Sequence, residues 1–573
     1  MLATGCVILL PAFLGSAGIN DGAETQFGEV GGETTGRRRG QGGGGAESEA
    51  SLGHEGQNTE NSRDETAAGM AVSRRYSQFG YCHRGASHVI TIAGAAGNGQ
   101  GLYVACRKGG RFMGRGRQRS KRAQRSTQRP AQRRGYAANT PLLEVAVERL
   151  GGRGDGLAQA EIKTGYVSET RPLFIPFALP GERVRVRPVS DRGEGVACDL
   201  IELVESAPER ADPACAHFMT CGGCAVQHLD AGAYQAWKRD QVVQYLSRAG
   251  LGEVTVGALR TCAPAARRRA DFVLRMTGKK LVAGFHERGS NRIVEITECP
   301  VLRPSVFALM APLRQLFGGV LESGQSVDCV VNELDNGLDL LLRLPDHPDL
   351  DFREKLADFA DDQDLTRLSY HAEGDSLPDP VPLAQRRTPI ITFGSVSVTP
   401  PPGAFLQATV DGEAAIQELV CEGTGGARAV LDLYAGCGTL CLALDGTAER
   451  LAVEGDDALL AAIRSGADAA RLGGRVRTER RDLTQRPFAG KELGKFDAVV
   501  LDPPRAGARE QAAALAASKV QRIVYVSCNP ATFARDARTL VDGGYECVEV
   551  TPIDQFLWTP HIELVANFVR RGA

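Results

Sequence analysis

Two neighbouring stretches near the C-terminal end decide the fold: FDAVVLDPPRAG (residues 496–507) and RIVYVSCNPAT (residues 522–532). Each contains a short apolar run, rich in β-branched residues, that a proline stops, which is typical of a buried parallel strand. In an open α/β sheet the carboxyl ends of such strands share one edge, where ligands bind. We therefore expect Asp502 and Cys528 to lie at the same edge of one sheet.

Cys528 has two competing interpretations. A cysteine that follows a buried strand is more often a small core residue than a nucleophile. Here, however, Pro530 ends the strand, and the sequence TFARDARTLVDGG then has the pattern of a helix. A thiol just before a helix N-terminus is expected to favour the thiolate, because the helix dipole stabilises negative charge there. The context of Cys528 therefore favours covalent chemistry.

Strand and helix patterns alternate from residue 396 onwards. Ala-rich helical stretches separate several short apolar runs, which predicts an α/β fold with a doubly wound sheet. The predicted strands are AVLDL, RLAVEGD, RVRTERRD, FDAVVLD, RIVYVSC, YECVEVTPID and ELVANFVR.

The first of these strands leads into a glycine-containing loop, DLYAGCGTL. Glycines after the first strand allow the backbone to approach a cofactor, but the third glycine of a dinucleotide fingerprint is missing. The next strand ends in Glu454, and an acid there can accept both ribose hydroxyls of a nucleoside. The combination favours S-adenosyl-L-methionine over a dinucleotide. The alternative is a packed strand end with solvated acids.

Four cysteines form a second constellation. Three lie within ten residues of one another and the fourth lies far downstream before a proline, as listed here: Cys215, Cys221, Cys224 and Cys299. This spacing resembles iron–sulfur ligation, although four cysteines can equally bind zinc. The short glycine bridge within CGGC and the Cys-Pro pair favour a [4Fe–4S] cluster. Unliganded core cysteines are the third possibility.

The length and composition predict several domains in an ordinary soluble protein. With 573 residues the chain is too long for one core, and it is 43% hydrophobic and 24% charged. Fifteen scattered cysteines are expected to be reduced or metal-bound rather than paired in disulfides. Because no stretch is long and apolar enough to span a membrane, which takes about 20 residues, we expect a cytoplasmic protein without a membrane partner.

Four regions are predicted along the chain. Residues 1–136 are rich in Gly and Arg, so we expect disorder there, and we hypothesise that the natural start is Met113. Residues 137–206 show short alternating strands broken by Gly and Pro, the pattern of an OB-like β-barrel. Residues 207–395 are predicted to form a central α/β domain with the four cysteines, and residues 396–573 the doubly wound domain.

A basic run stands at the end of the first region. Residues 107–135 hold twelve Arg or Lys residues and no acid, so the rest of the chain is net acidic. A basic arm on an acidic enzyme suggests a polyanionic partner, and a solvated tail is the equally weighted alternative.

Near the other end of the chain, HIELVANFVR sets Glu563 just before the last strand, where a buried carboxylate could act as a general base.

Taken together, these motifs resemble those of the RNA uracil-C5 methyltransferases. The resemblance runs from about residue 141 to the end and is highly specific. The matching elements are FLQ (residues 405–407), DLYAGCGTL, the strand-end Glu454, DPPRAG, VSCNPAT and HIE.

The resemblance implies a class I S-adenosylmethionine-dependent methyltransferase fold and a role for each matching residue. Cys528 is the expected nucleophile and Glu563 the expected proton acceptor. The expected cofactor contacts are Gln407, Tyr434, Thr439, Glu454 and Asp502. Thr439 departs from the pattern, since asparagine often occupies that position in the family.

The resemblance also implies the substrate. The predicted barrel is similar to a TRAM domain, and the four cysteines are similar to the [4Fe–4S] site of enzymes that act on 23S ribosomal RNA. Bacterial relatives that act on tRNA lack both features, so we expect a monomeric 23S rRNA methyltransferase.

Three alternatives stay open. The enzyme could methylate a uridine in tRNA, or it could be an amino-methyltransferase with a DPP motif. In the latter class an aromatic residue typically follows the motif, whereas Arg505 follows it here. The third alternative is a non-catalytic RNA-binding iron–sulfur protein, against which the presence of both Cys528 and Glu563 argues.

Overall fold

A computed structural model describes residues 135–572, except for residues 138, 165–166, 374–378 and 445–447. The predictions made for the disordered extension, its basic run and the Met113 start therefore lie outside the described residues, apart from the last two positions of that extension.

The first part of the described chain forms a mainly antiparallel sheet. Its strands are β1 (Leu143–Ala146), β2 (Arg149–Leu150), β3 (Asp155–Thr164), β4 (Val167–Pro176), β5 (Arg183–Arg192) and β6 (Gly195–Glu205). The strand order is β1-β5-β6-β4-β3-β2, with β4 and β6 parallel. Strand β5 shows the reason for this fold, since Val184 and Val186 are fully buried while Arg183 and Arg185 alternate with them on the exposed face.

The middle of the chain builds a second sheet with helices against it. Its elements are α1 (Ala231–Arg248), β7 (Thr255–Val256), β8 (Arg260–Thr261), β9 (Arg269–Thr277), β10 (Lys280–His286), β11 (Ile293–Glu295), α2 (Pro304–Ala308), α3 (Met310–Phe317), β12 (Ser326–Leu334), β13 (Gly337–Leu344), α4 (Leu350–Asp362), β14 (Arg367–Ala372) and β15 (Val381–Gln385). Strands β9 to β15 pair in the order β11-β10-β9-β12-β13-β14-β15. Leu313 and Phe317 of α3 and Leu356 of α4 are buried in its core.

The last part of the chain forms a mixed sheet with helices on both faces. Its elements are β16 (Ile391–Phe393), β17 (Val396–Val398), α5 (Val410–Thr424), β18 (Ala429–Leu433), β19 (Glu449–Glu454), α6 (Asp457–Ala469), β20 (Val476–Arg480), the 3-10 helix η1 (Leu493–Lys495), β21 (Ala498–Leu501), α7 (Arg509–Ala516), β22 (Arg522–Ser527), α8 (Pro530–Asp542), β23 (Tyr545–Asp554) and β24 (Glu563–Arg570). Among the described residues the main path of this sheet is β20-β19-β18-β21-β22-β24-β23-β7, and β16 and β17 pair separately as a hairpin.

Both faces of the mixed sheet are buried, as the continuous apolar runs predict. In β21 all four residues are buried. Val499 and Leu501 contribute to the core on the side of α7 and α8, and Ala498 and Val500 to the core on the side of α5. Burial of each large apolar side chain contributes about 1.5–3 kcal/mol, so the sheet is a rigid platform for the residues at its edge. The α/β prediction is thereby confirmed.

Two departures from a regular βαβ pattern matter for the site. Strand β24 is antiparallel to both of its neighbours, β22 and β23, because residues 555–562 return the chain directly without a helix. Strands β7 and β8, which precede the second sheet in the chain, pair with β23. Helix α1 also packs on this side, with Val242 and Leu246 in the same core as Phe533 of α8.

The described residues include no helix that is long and apolar enough to cross a membrane.

Candidate active site

The predicted site residues gather at the carboxyl edge of the mixed sheet. Tyr434 follows β18, Asp502 follows β21, and Cys528 follows β22. Glu563 opens β24, whose reversed direction brings its first residue to that same edge. Ligands of open α/β sheets bind at this edge, and at the point where the strand order reverses, here between β18 and β21.

Cys528 and Glu563 stand at the same end of the ladder between β22 and β24. The last pair of that ladder is Ser527 with Leu564. Cys528 directly follows Ser527, and Glu563, which pairs with Ile553 of β23, directly precedes Leu564. Cys528 is half-buried, and α8 begins two residues later with Asn529 as its N-cap. The structure therefore brings together a thiol and a carboxyl that lie 35 positions apart in the sequence.

The glycine-containing loop after β18 is shaped by positive φ angles and by Glu454. Tyr434, Gly436 and Gly438 have φ values of 64°, 57° and 95°. The Glu454 carboxylate accepts hydrogen bonds from the backbone N–H groups of Gly436 at 3.0 Å and Gly455 at 2.6 Å. A Cβ atom on Gly436 would meet open space, which leaves room for a ligand beside the loop. The Glu454 carboxylate therefore holds the backbone of this loop in place.

A chain of two carboxamides links the two acids of the site. Asp502 accepts a hydrogen bond from Gln407 Nε2 at 3.3 Å, and Gln407 Oε1 in turn accepts one from Gln555 Nε2 at 2.7 Å. The same Gln555 Nε2 donates to Glu563 Oε2 at 2.9 Å. Gln407, Gln555 and Glu563 are each at most 3% exposed. The positions of both carboxyl groups are therefore determined by a buried polar chain.

Among the described residues, no cation forms a salt bridge with either acid of this chain. Burial, and in second place the nearby Asp502, raises the pKa of Glu563 well above its usual value, against smaller opposing effects of the hydrogen bond from Gln555 and of Arg505. Burial raises the pKa of Asp502 to about 7. Two acids that are desolvated together resist double ionisation, so the pair retains a proton near neutral pH.

Arg505 and His561 form a second polar contact at the same edge. Arg505 Nη2 donates to His561 Nδ1 at 2.6 Å. Burial, together with the adjacent Arg505, lowers the pKa of His561 to about 3, so the imidazole is neutral and can accept. The Arg505 carbonyl also accepts hydrogen bonds from Asn529 and Thr532. The DPPR segment is thus fastened to the start of α8, next to Cys528.

Hydrogen bonds hold the segments that carry the four predicted metal-binding cysteines. Backbone hydrogen bonds tie Gly222 to His286 and Arg288 to Thr220, and Ala216 N–H donates to Glu298. Burial raises the pKa of the Cys224 thiol to about 12, and the other three cysteines add to that rise. In the described part of the chain, no group of three or more His, Cys, Asp or Glu side chains could hold one metal ion.

Gln555 was missed by the sequence analysis. It follows Asp554, the last residue of β23, and so lies at the same edge as the other site residues. A polar residue directly after a buried strand was the available signal. Its role depends on the antiparallel return of β24, which the sequence pattern did not reveal.

The carboxamide chain predicts a stability effect at Gln555. Replacing Gln555 with Leu would leave Gln407 Oε1 and the Ala408 N–H without their buried partner. Because an unsatisfied buried polar group costs about 1–3 kcal/mol, we expect the free energy of unfolding in urea to fall by roughly that amount. The matched control Gln521→Leu, at an exposed position, should stay within about 0.5 kcal/mol of the parent protein. Equal free energies of unfolding for the two variants would contradict a stabilising role of the carboxamide chain.

Known proteins to which this chain is similar are RNA methyltransferases. A family model described as tRNA (Uracil-5-)-methyltransferase matches residues 477–571. An RNA methyltransferase of Mesorhizobium japonicum is 42% identical over 424 residues, which cover 73% of this chain and 96% of the relative. A 23S rRNA (uracil(1939)-C(5))-methyltransferase of Aeromonas salmonicida is 33% identical over 414 residues, which cover 70% of this chain and 91% of the relative.

A solved structure shares the fold. The tRNA (uracil-54, C5)-methyltransferase of Pyrococcus abyssi, in complex with S-adenosyl-L-homocysteine, superposes with a TM-score of 0.57 at 23% identity. The match covers 74% of this chain and 99% of that chain. From the two long sequence relatives and the family model, the chain belongs to the RNA uracil-C5 methyltransferase family.

Proposed function

We propose that the protein transfers a methyl group from S-adenosyl-L-methionine to C5 of a uridine in 23S ribosomal RNA. The observation that carries the proposal is that Cys528 and Glu563 flank the last pair of the β22–β24 ladder, at the same sheet edge as Asp502 and the glycine-containing loop. A thiol and a carboxyl at one edge are what addition to uracil and proton removal require.

The cofactor contacts are part of the same proposal. Tyr434, Thr439 and Glu454 surround or form the loop after β18, and Gln407 is hydrogen-bonded to Asp502 at the adjacent strand end. The open space beside Gly436 supports a bound nucleoside at this loop. Thr439 contributes through its position in the loop, where its carbonyl accepts a hydrogen bond from Gln417 Nε2 at 3.0 Å.

The reaction uses Cys528 to activate a carbon that is otherwise a poor nucleophile. The Cys528 thiolate adds to uracil C6, and the electron pair displaced to C5 takes the methyl group from the sulfonium, which leaves as S-adenosyl-L-homocysteine. Glu563 then accepts the C5 proton. The electrons of that C–H bond restore the C5–C6 double bond, and the thiolate is expelled. The uridine must leave its stack to expose C6, at a cost of a few kcal/mol.

We favour 23S rRNA over tRNA because the relative named for 23S rRNA is 33% identical to this chain, whereas the solved structure named for tRNA is 23% identical. The Aeromonas salmonicida protein, which matches over 91% of its length, is named for 23S rRNA. A tRNA uridine is the second candidate, because the matching family model and the Pyrococcus abyssi structure are named for tRNA.

We further propose a TRAM-like RNA-binding barrel at residues 137–206, a central domain at residues 207–395 and a methyltransferase domain at residues 396–573, in a cytoplasmic monomer.

We also propose that the four cysteines hold a [4Fe–4S] cluster. The spacing of the four cysteines and the electrostatic interaction of Cys224 with the other three support a shared metal centre. The glycine bridge within CGGC and the Cys299-Pro300 pair favour a cluster, in which each thiolate binds a separate iron, over zinc. Because methyl transfer moves no net electrons, the cluster would supply structural support or RNA positioning rather than redox chemistry.

The first prediction concerns the covalent step. Cys528→Ala should lower methylation by at least about 10⁴-fold, as expected for loss of a catalytic nucleophile. It should form no covalent complex with 5-fluorouridine RNA in denaturing gels and intact-mass spectra. Glu563→Gln should instead accumulate an adduct on ordinary uridine RNA, because addition survives while release is blocked.

The matched control for this experiment is Cys421→Ser, a half-buried cysteine on α5, which should behave as the parent protein does. A 23S rRNA transcript and a tRNA transcript are compared in parallel, and the adduct is expected with the 23S transcript. Retained turnover in Cys528→Ala would show that Cys528 is not the nucleophile. An adduct with the tRNA transcript alone would show that the substrate is tRNA and not 23S rRNA.

The second prediction is a pH dependence. Glu563 accepts a proton only as the carboxylate, and burial raises its pKa well above the usual value. The carboxylate fraction therefore keeps growing with pH above the range in which an ordinary glutamate is already ionised, and the release rate of the methylated adduct should rise with it. An exposed glutamate would level off above about pH 5. Rapid-quench decay of a preformed adduct measures this, and a flat profile would contradict it.

The third prediction identifies the metal. Protein purified without oxygen should be brown, with the broad visible absorbance of iron–sulfur proteins, and should hold four irons per chain as the [4Fe–4S] formula requires. Cys224→Ser should lose iron and colour, whereas Cys421→Ser should retain both. A colourless protein that holds zinc would overturn the cluster.

A further inference from the structure

Residues 555–562 form one connecting element, which we name the return loop. It joins β23 to β24, so Gln555 stands at its start and Glu563 directly after its end. Within it, Trp558 has a φ of 58°, a backbone conformation that bulky residues rarely adopt. Such a conformation persists only where surrounding contacts enforce it.

The contacts that enforce this backbone conformation of Trp558 come from α1 and from the two residues that follow Cys224. Trp558 N–H donates to Tyr234 Oη at 2.8 Å. The Trp558 carbonyl accepts from the N–H groups of Ala225 at 2.8 Å and Val226 at 3.2 Å. Ala225 and Val226 are the two residues that follow Cys224. Both backbone groups of the strained residue are therefore held from outside the return loop.

Helix α1 also holds both ends of the return loop. Tyr234 Oη donates to Asp554, the last residue of β23. Lys238 Nζ forms an ion pair with Asp554 at 2.7 Å and donates to the carbonyl of His561, two residues before Glu563. The side chains of Lys238 and Asp554 are fully buried. A charged pair at this depth keeps one geometry, because separating it would leave an unpaired buried charge.

Apolar packing completes this connection. Ala225, Val226, Tyr234 and Trp237 share one buried cluster, and Trp558 packs against it. We name these five residues the tryptophan junction. Trp237 and Trp558 are the two tryptophans of the 573-residue chain, so its intrinsic tryptophan fluorescence comes entirely from this junction.

We propose that the tryptophan junction positions Glu563 for proton removal, and that the integrity of the cysteine site reaches the active site through it. The proposal rests on the function proposed above for Glu563. Tyr234 and Trp558 are positioning residues, since they act through the return loop and not on the uridine. Disturbing the junction should impair adduct release and leave adduct formation by Cys528 unchanged.

The test compares Tyr234→Phe with Tyr245→Phe, a matched change of a half-buried tyrosine on the same helix. Tyr234→Phe removes the hydroxyl that joins Trp558 N–H to Asp554. We expect its adduct-release rate and kcat to fall about 10- to 100-fold, the order expected for a catalytic group misplaced by about 1 Å. The ratio kcat/KM for RNA, the rate of adduct formation and the fraction of protein that forms adduct should match those of the parent and Tyr245→Phe, so KM should fall together with kcat.

The outcomes are distinguishable. A folding defect would lower the fraction of protein that forms adduct, whereas a misplaced base leaves that fraction unchanged and lets adduct accumulate on ordinary uridine RNA. Normal release by Tyr234→Phe, in a preparation whose parent methylates uridine, would overturn this inference and leave the proposed function intact. A parent protein that methylates no uridine would overturn both.

A second measurement tests the connection to the cysteine site without using activity. In a Trp237→Phe background, the remaining emission comes from Trp558. Cys224→Ser should shift that emission to longer wavelength and speed hydrogen exchange of the Trp558 amide about tenfold or more, whereas Cys421→Ser should change neither. Unchanged emission and exchange in the Cys224 variant would contradict the connection.

Discussion

The site depends on the antiparallel pairing of β24 between β22 and β23. This pairing brings Glu563 to the carboxyl edge of the sheet, at the end of the ladder where Cys528 follows β22. Because side chains alternate between the faces of a strand, a slip of one residue would turn Glu563 to the opposite face. The buried apolar residues of β24, such as Leu564 and Phe568, oppose that slip because it would exchange their packing faces.

Glu563 sits in an environment that is polar but contains few compensating charges. Among the described residues its side-chain hydrogen bond comes from the carboxamide of Gln555, which in turn is hydrogen-bonded to Gln407. A carboxyl held in this way stays where the chain places it, and its pKa rises because desolvation penalises the carboxylate. A base of raised pKa is better matched to proton removal near neutral pH than an exposed glutamate. The same buried surroundings therefore fix the position of the Glu563 carboxyl and raise its pKa.

Much of this arrangement was predictable from the sequence. The sequence pattern located β18 to β24 to within a few residues, and for strands such as β21 and β22 the reason is that burial on both faces gives an uninterrupted apolar signal. Proline after β22 and the helical pattern behind it also marked the start of α8 correctly. The local pattern identified Asp502 and Cys528 as strand-end residues for the same reason.

What the sequence did not reveal depends on contacts between distant segments. The addition of β7 and β8 to the edge of the mixed sheet joins residues nearly 300 positions apart, and such short strands have no periodic signal. The ion pair of Lys238 with Asp554 spans 316 positions. Gln555 gains its role from the return loop, whose path is set by these contacts. Local patterns predict elements, and tertiary pairing decides which side chains meet.

The measurement that tests the central claim most directly is tritium release. A 23S rRNA transcript labelled with tritium at uridine C5 is incubated with the protein and S-adenosyl-L-methionine, and tritium in water is compared with methyl groups in RNA. The account predicts one tritium released for each methyl group transferred, because Glu563 must take the C5 hydrogen before Cys528 can leave. Methyl transfer with the tritium retained in the RNA would contradict it.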